Sequence, residues 1–180
     1  MSEAPDEDAL KRQLRADLES ARSTFHRVLD ALSEDGMRAA SRNPGWTNGQ
    51  LLFHMAFGFI LLPSLVRLIR FWSLFPPGFS RPFAAVLDAS TPLFNWINGL
   101  GPRLGARVYS GSRLARKYDR MHAKILQILE RTRAGDLQRG MHYPRRWDPL
   151  FPGYLTMERL FQYPAAHLQS HVGQLAVPGR

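Results

Sequence analysis

The sequence predicts an all-α protein, a four-helix bundle with a long crossover between helices two and three. Three observations favour this fold. Apolar residues recur at steps of three and four in separate segments of the 180-residue chain, one of these segments opens on a strong helix-start signal, and no segment shows the alternation typical of a strand. Four long amphipathic helices with one long connection are typical of a bundle.

The first helix is expected to follow an acidic tail. Residues 1–8 carry four acidic residues and no basic one, unlike a secretory or transit peptide, so residues 1–9 are interpreted as a disordered tail. A single domain is expected over residues 10–178. Its first helix runs to about Gly36 and buries a stripe made of Leu10, Leu14, Leu18, Ala21, Phe25, Val28 and Leu32.

The second helix has the clearest start in the chain. Thr47 and Gln50 have the spacing of a capping box, and Trp46 with Leu51 occupies the two positions of a hydrophobic staple. The helix is predicted over residues 51–62, where apolar residues lie on nearly every side. Since residues 51–66 are shorter than the roughly 20 apolar residues of a membrane span, a helix buried in a bundle core is favoured.

The segment from residue 63 to about 110 is the expected crossover. Five prolines interrupt it after Pro63, so only short helices such as 83–89 and 93–98 are predicted. Its many aromatic residues indicate that it packs on another surface. Connections of this length inside a domain tend to be functional.

Two further helices complete the bundle. The third helix has apolar positions 114, 118, 121, 125 and 128, which step by four and three, and is expected to end near Gly135. A loop over 136–154 follows. The last helix is predicted from near Thr156 to about Ala176, with Pro164 either kinking it or marking its start.

Composition excludes several kinds of site. The chain has no cysteine, which rules out a disulfide scaffold, a thiolate zinc site and a cysteine nucleophile, and which fits a cytoplasmic protein. No GxSxG elbow or phosphate-binding glycine loop is present. The net charge of +9 permits contact with nucleic acid, anionic lipid or acidic metabolites and selects none of them.

Two histidines on the last helix are candidate metal ligands. His167 and His171 are four residues apart, so both imidazoles lie on one helix face and can hold one ion. Gln174 extends this face and could order a metal-bound water or cap a polar rim. The alternative for the pair is one surface histidine and one packed histidine.

His54 strengthens the metal hypothesis because it lies in an apolar part of helix two that contains no Asp or Glu. A buried neutral imidazole needs partners for both nitrogens, and metal ligation with one hydrogen bond would satisfy them. A core histidine bonded to a backbone carbonyl is the alternative. His26 and His122 are interpreted as boundary residues beside their helix seams, and His142 as a solvent-facing loop residue.

Two segments together resemble a known family. PGWTNGQLLFHMA is similar to the helix-two entry of DinB/YfiT-like proteins, and HLQSHVGQL is similar to their last-helix HxxxHxxQ element. The resemblance implies a four-helix bundle with a three-histidine centre, whose ligands here would be His54, His167 and His171 and whose divalent metal would be zinc, nickel or iron. It also implies thiol-dependent transferases or isomerases that use mycothiol or bacillithiol.

The leading hypothesis is therefore a metal-dependent thiol S-transferase or isomerase that takes a small thiol and an electrophile. Arg116, Arg145 and Arg146 are candidates to bind a carboxylate on the thiol or substrate. The alternatives are a metal-dependent hydrolase and a non-catalytic basic module with structural histidines. Nucleic acid is disfavoured as a partner because the basic residues are spread along the chain. Two further alternatives use the aromatic crossover as an interface. One is a homodimer, and the other, less favoured, is contact with a membrane surface.

Overall fold

The computed structural model describes residues 7–151 and 153–177, and it confirms the all-α prediction. Most of these residues lie in helices, with one small two-stranded sheet. The helices are α1 (Glu7–Asp30), α2 (Glu34–Arg38), α3 (Asn48–Trp72), α4 (Arg81–Ala89), α5 (Thr91–Val108), α6 (Gly111–Arg131) and α7 (Met157–Val172). Strands β1 (Gly140–His142) and β2 (Tyr154–Thr156) pair antiparallel, and 3₁₀ turns cover Pro77–Ser80 and Ala134–Asp136.

Four long helices surround the core. α1 contacts α6 and α7, and α3 contacts the same two helices. Their apolar stripes meet in one cluster that includes Leu18, Phe25, Phe59, Tyr118 and Phe161. Burial of this many large side chains is the main stabilising contribution, at about 25 cal/mol for each Å² of apolar surface removed from water.

The start of α3 forms as the sequence predicts. The Thr47 hydroxyl accepts a hydrogen bond from the Gln50 backbone N–H, and the Gln50 side chain accepts one from the Thr47 N–H. α3 is long and apolar enough to cross a membrane by length and composition alone. Most of that apolar window is buried against other parts of the protein, however, as in the core helix of a folded domain.

The first predicted helix is divided in the structure. α1 begins at Glu7, within the segment expected to be a tail, while residues 1–6 of that tail and residue 178 at the end of the expected domain lie outside the described residues. α1 ends at Asp30 rather than near Gly36. Ser33 caps the separate helix α2, because its hydroxyl accepts a hydrogen bond from the Gly36 N–H.

The predicted crossover differs from the structure in its start at residue 63 and in the length of its second helix. α4 confirms the short helix expected over 83–89, and the helix expected over 93–98 is the beginning of the longer α5. α3 continues through Pro63 to Trp72, and α5 is an 18-residue helix that contains Pro102. A proline removes one helical hydrogen bond, yet both prolines are buried, so packing on their neighbours offsets that loss. α7 likewise runs through Pro164, and it ends at Val172, before the predicted Ala176.

The loop predicted over 136–154 contains an unpredicted sheet. Met141 pairs with Leu155 at its centre, and both side chains are fully buried. Strands of three residues are too short to show an alternating pattern, which explains why the sequence did not reveal them. Thr156 then caps α7, since its hydroxyl accepts from the Arg159 N–H.

Gly105 allows α5 to lie close to α3. A Cβ at this position would come within 2.2 Å of the Phe53 ring, which is itself stacked between Phe57 and Tyr109. By contrast, a Cβ at Gly99 on the same helix would meet nothing within 4 Å. The contact between α3 and α5 therefore depends on the missing side chain at 105.

We predict that Gly105→Ala destabilises the protein by about 1–3 kcal/mol, because Phe53 has to leave its stacked position. Gly99→Ala is the matched control and is expected to stabilise the protein by up to about 1 kcal/mol through helix propensity. Urea unfolding followed by circular dichroism measures both. Equal stability of the two variants would show that the close approach at Gly105 is unimportant.

Candidate metal centre

The structure brings His54, His167 and His171 together. His54 comes from α3, and the other two come from successive turns of α7. One ring nitrogen from each lies within 4.8 Å of the others, and the ring centroids are 4.8–4.9 Å apart. Residues separated by 113 positions in the sequence thus share one point in the fold.

The closest pair has the spacing of two ligands of one ion. His54 Nε2 and His167 Nε2 lie 3.2 Å apart. Two nitrogens that bind one ion at about 2.0–2.1 Å, with an angle of about 90–110° between the bonds, lie about 2.8–3.4 Å apart. The spacing of this pair fits a bound cation, and a nitrogen of His171 lies within 4.8 Å of both.

Burial keeps the two inner histidines neutral. His54 and His167 are buried, and His171 is half-buried. Burial, reinforced by the neighbouring histidines, lowers the pKa of His54 to about 3, and burial with His171 lowers the pKa of His167 to about 3. Neutral imidazole is the form that binds metal, so these side chains are ready to act as ligands at neutral pH.

The alternative of a hydrogen-bonded core histidine does not match the structure. The only hydrogen-bond contact of the His54 ring among the described residues is with His167, and the Nδ1 atoms of both are buried without a partner there. Two neutral imidazoles share at most one hydrogen bond through the facing nitrogens. Burying polar atoms in this way is costly, and a common cation would use both facing nitrogens.

Gln174 orients the third histidine. Its Oε1 atom lies 3.0 Å from His171 Nδ1, and the same oxygen accepts a hydrogen bond of 2.8 Å from the Asn43 side-chain amide. An oxygen acceptor requires a proton on Nδ1, which leaves the other nitrogen of His171 free to bind an ion. Gln174 lies just beyond the end of α7 and contacts the ring directly, which differs from both roles expected of it, ordering a metal-bound water or capping a polar rim.

Asn48 and Gly58 set the position of α3 against α7. The buried Asn48 side chain bonds to both the N–H and the carbonyl of Ala176, at 2.9 and 3.1 Å. Gly58 lies one turn after His54, where a Cβ would approach Tyr163 and His167 Nδ1 to 3.2 and 3.3 Å. The hydrogen bonds of Asn48 and the close approach at Gly58 keep the turn of α3 that carries His54 next to the turns of α7 that carry His167 and His171.

Aromatic rings support the imidazoles from outside. Trp46 lies 4.8 Å from His54 between ring centroids, and Tyr163 stacks on His167 at 5.0 Å. Phe151 in turn stacks on Tyr163 at 4.3 Å. These contacts restrict ring rotation and keep the surroundings of the site apolar.

A cavity of about 420 Å³ opens onto the three histidines. Its walls are mostly aromatic and aliphatic, with contributions from α3, α5, α7 and the loop before β2. Asp148 is the acidic residue in its lining, and its Oδ2 atom accepts a 2.7 Å hydrogen bond from the Tyr163 hydroxyl. The cavity offers a ligand an apolar pocket, one carboxylate and a side-chain amide from Asn43 or Asn98.

A larger cavity of about 700 Å³ lies elsewhere, between the C-terminal end of α5 and the first turns of α3 and α6. No histidine lines it. Size alone does not identify a chemical site, and the smaller cavity contains the convergent ligand atoms. We therefore assign the candidate centre to the smaller cavity.

The three predicted substrate-binding arginines do not line the histidine cavity. Arg116 is exposed on α6, and Arg145 and Arg146 are exposed in the loop between the strands. The prediction that these arginines bind a substrate carboxylate was based on their charge and sequence position only. Long charged side chains next to an apolar cavity remain in water, because removing them from it is costly.

The remaining histidines lie outside the site. His26 contacts the Asp119 carboxylate at 2.8 Å at the boundary between α1 and α6, as predicted. His122 was expected at a similar boundary but is buried, with Nε2 3.7 Å from Glu19. His142 is half-buried rather than solvent-facing, since Arg81 Nε lies 3.3 Å from its ring.

Sequence reasoning missed most of the cavity wall. Tyr163 lies four residues before His167, so the helical period already placed it on the ligand-bearing face. Asn43 and Asp148 come from loops, and no spacing connects them to the histidines. Phe94, in the helical segment predicted over 93–98, stacks at 4.3 Å on Trp147 from the loop over 136–154, and no spacing in the sequence connects the two.

We predict that Gln174→Ala weakens zinc binding by about 10-fold or more, because the His171 ring loses the acceptor that orients it. Competition with a chromogenic chelator measures the affinity. Gln138→Ala is the matched control, since Gln138 bonds to Glu158 on the exposed surface and does not line the cavity. A zinc affinity equal to that of the control would remove this role for Gln174.

We predict that the metal-free protein loses stability as the pH falls from 7.5 to 5. The pKa values of His54 and His167 are about 3 when folded and about 6.5 when unfolded, so the unfolded chain binds more protons in this range. The loss is about 2 kcal/mol for each histidine, measured by urea unfolding with a chelator present. A His54→Gln/His167→Gln variant should lose less, and an equal loss would contradict the assignment.

Comparison with known proteins agrees with this geometry. A family model described as the DinB superfamily matches residues 17–175, a span that includes all three histidines. No curated protein and no solved structure matches the chain.

Proposed function

We propose, on the premise that the chain belongs to the DinB superfamily, that it is a divalent-metal-dependent enzyme whose ion is held by His54, His167 and His171. The contacts of α1, α3, α6 and α7 support the four-helix bundle in which this site would lie. The observation that carries the proposal is the convergence of three ring nitrogens within 4.8 Å at the base of a cavity.

The ligand set favours a catalytic ion over a purely structural one. Three imidazoles occupy one side of a cation and leave positions for water or substrate on the other. Here the open side would face the cavity, because the three histidines contribute to its lining. Zinc, nickel and iron all accept nitrogen ligands of this kind.

A bound cation would supply Lewis acidity, which lowers the pKa of a thiol or a water molecule that it coordinates. The chain's own residues prepare the site for this role. Gln174 holds the His171 ring, and Tyr163 and Trp46 restrict the other two rings. The mostly apolar walls of the cavity would strengthen the interaction of the cation with an anionic sulfur, because charges interact more strongly in surroundings of low polarity.

The reaction we favour is transfer of a low-molecular-weight thiol to an electrophile, or a thiol-dependent isomerisation. The chain contains no cysteine, so the thiol would have to come from another molecule. A small thiol of the mycothiol or bacillithiol kind is what the resemblance to the family implies. The apolar lining by Phe57, Leu61 and Phe94 suits a hydrophobic electrophile. Among the described residues no arginine or lysine lines the cavity, so a carboxylate bound there would have no cationic partner from this part of the chain.

One observation favours a second candidate, a metal-dependent hydrolase. The Asp148 carboxylate shares the cavity with the histidines and is half-buried, where it can accept a proton from a water molecule. A thiol requirement separates the two reactions. Turnover of a model electrophile only when a thiol is present supports transfer, and turnover of an ester without thiol supports hydrolysis.

We predict that His54→Ala, His167→Ala and His171→Ala each abolish near-stoichiometric metal binding, while the helical circular dichroism signal is largely retained. Each variant leaves two ligands, which hold a cation far more weakly than three. Elemental analysis of protein purified without a histidine tag measures the metal content. His142→Ala is the control, because it removes a histidine that lies outside the site. Metal retained in any two of the three variants would contradict the proposal.

A further inference from the structure

The exposed apolar surface of the protein is concentrated in one part of the chain. Twelve large apolar side chains are exposed among the described residues, and eleven of them lie between residues 61 and 108. None belongs to α1, α6 or α7, whose outer faces are polar. An exposed apolar surface of this extent marks an interaction site in a folded protein.

Helix α5 presents the most regular part of this surface. Five of its exposed side chains follow steps of three, one, seven and four residues, which places them on one helix face. Their exposed fractions lie between 45% and 63%. We call this face the α5 stripe, and it consists of Leu93, Trp96, Ile97, Leu104 and Val108.

The opposite face of α5 holds the helix to the protein. Phe94 stacks on Trp147 at 4.3 Å, and Gly105 lies against the Phe53 ring. The inner face of α5 is thus packed against the protein, whereas about half of the surface of each side chain in the α5 stripe is exposed. Apolar side chains that face water at helical spacing are typical of a helix that lies on a second surface.

The charges around the α5 stripe have one sign. α5 contains Arg103 and Arg107 and no acidic residue, and both arginines are exposed next to the stripe. Over the whole segment 61–108 there are five arginines, no lysine and a single acidic residue, Asp88. The surface therefore combines apolar contact area with positive charge.

The larger cavity adjoins the C-terminal end of the stripe. Four arginines line this cavity. Val108, which is part of the stripe, and Arg107, which lies next to the stripe, are both in the lining of the cavity. We call the surface formed by its four arginines, Arg38, Arg103, Arg107 and Arg113, the arginine groove, and Glu34 is the acidic residue in the same lining. Arg38 pairs with Glu34, whereas the other three have no carboxylate partner among the described residues.

We propose that the α5 stripe and the arginine groove together bind the surface of a membrane that contains anionic phospholipids. The apolar side chains would enter the boundary between headgroups and acyl chains, where Trp96 is well suited because tryptophan favours that interface. The arginines would contact lipid phosphates, which guanidinium groups bind through paired hydrogen bonds. This inference does not depend on the metal centre.

A second copy of the chain is a less favourable occupant. A twofold dimer through the α5 stripe would place the same surface on both sides of the contact. Arg103 and Arg107 of one copy would then lie near those of the other, with no acidic residue in either α5 to compensate. An anionic lipid surface has the complementary charge.

Vesicle flotation of the full chain tests the proposal. The vesicles consist of phosphatidylcholine alone, or of phosphatidylcholine mixed with phosphatidylglycerol. The wild-type protein should float with the anionic vesicles only, and the bound fraction should fall as salt is added, because salt screens exposed charges. This measurement requires no variant and so does not depend on any substitution being tolerated.

Three double variants assign the binding to its surface. Trp96→Gln/Ile97→Gln should remove most binding through loss of apolar contact. Arg103→Gln/Arg107→Gln should lower the partition coefficient by about 30-fold, at about 1 kcal/mol for each arginine. The matched control, Arg120→Gln/Arg131→Gln, removes the same charge from exposed positions on α6 and should stay within about threefold of wild type.

Two results would overturn the proposal. One is a wild-type protein that stays unbound with anionic vesicles at low salt, or binds both vesicle types equally. The other is a wild-type protein that does not float with the vesicles and sediments as a dimer, while the Trp96→Gln/Ile97→Gln variant sediments as a monomer. The second result would assign the α5 stripe to a contact between copies of the chain.

Discussion

The burial of two neutral imidazoles against each other is the constraint on which the rest of the structure depends. His54 and His167 lie 3.2 Å apart, and among the described residues no carboxylate forms a hydrogen bond or ion pair with either ring. Such an arrangement costs free energy, because a polar ring nitrogen gives up its contact with water and finds no equivalent partner. A well-packed apolar pair would be more stable here, so the histidines are better understood through what they can bind.

Several features of the fold serve to hold this unfavourable pair in place. The hydrogen bonds of Asn48 to Ala176 tie the beginning of α3 to the segment after α7, and Gly58 removes the side chain that would separate the two helices. α1 and α6 close the other side of the core through the stacked rings of Phe25 and Tyr118, 3.9 Å apart. Rigid neighbours of this kind are what a binding site needs to keep its ligand atoms in position.

Those parts of the fold that depend on local chemistry could be predicted from the sequence, and those that depend on packing could not. The capping box at Thr47 and the i, i+4 spacing of His167 and His171 are local, and both are found in the structure. The length of α5 and the passage of α3 through Pro63 required knowledge of the packing that offsets a proline. Asp148 and Asn43 reach the cavity from loops, for which the sequence contains no periodic signal.

Helix α5 has an inner and an outer surface that contribute to two different sites. Phe94 and Asn98 on its inner side form part of the wall of the histidine cavity, while its outer side carries the apolar stripe. α5 carries Pro102 and three glycines among its 18 residues, and the same helix supplies both surfaces. If the outer stripe binds a membrane as proposed, a displacement of α5 there would also displace Phe94 and Asn98 in the cavity wall.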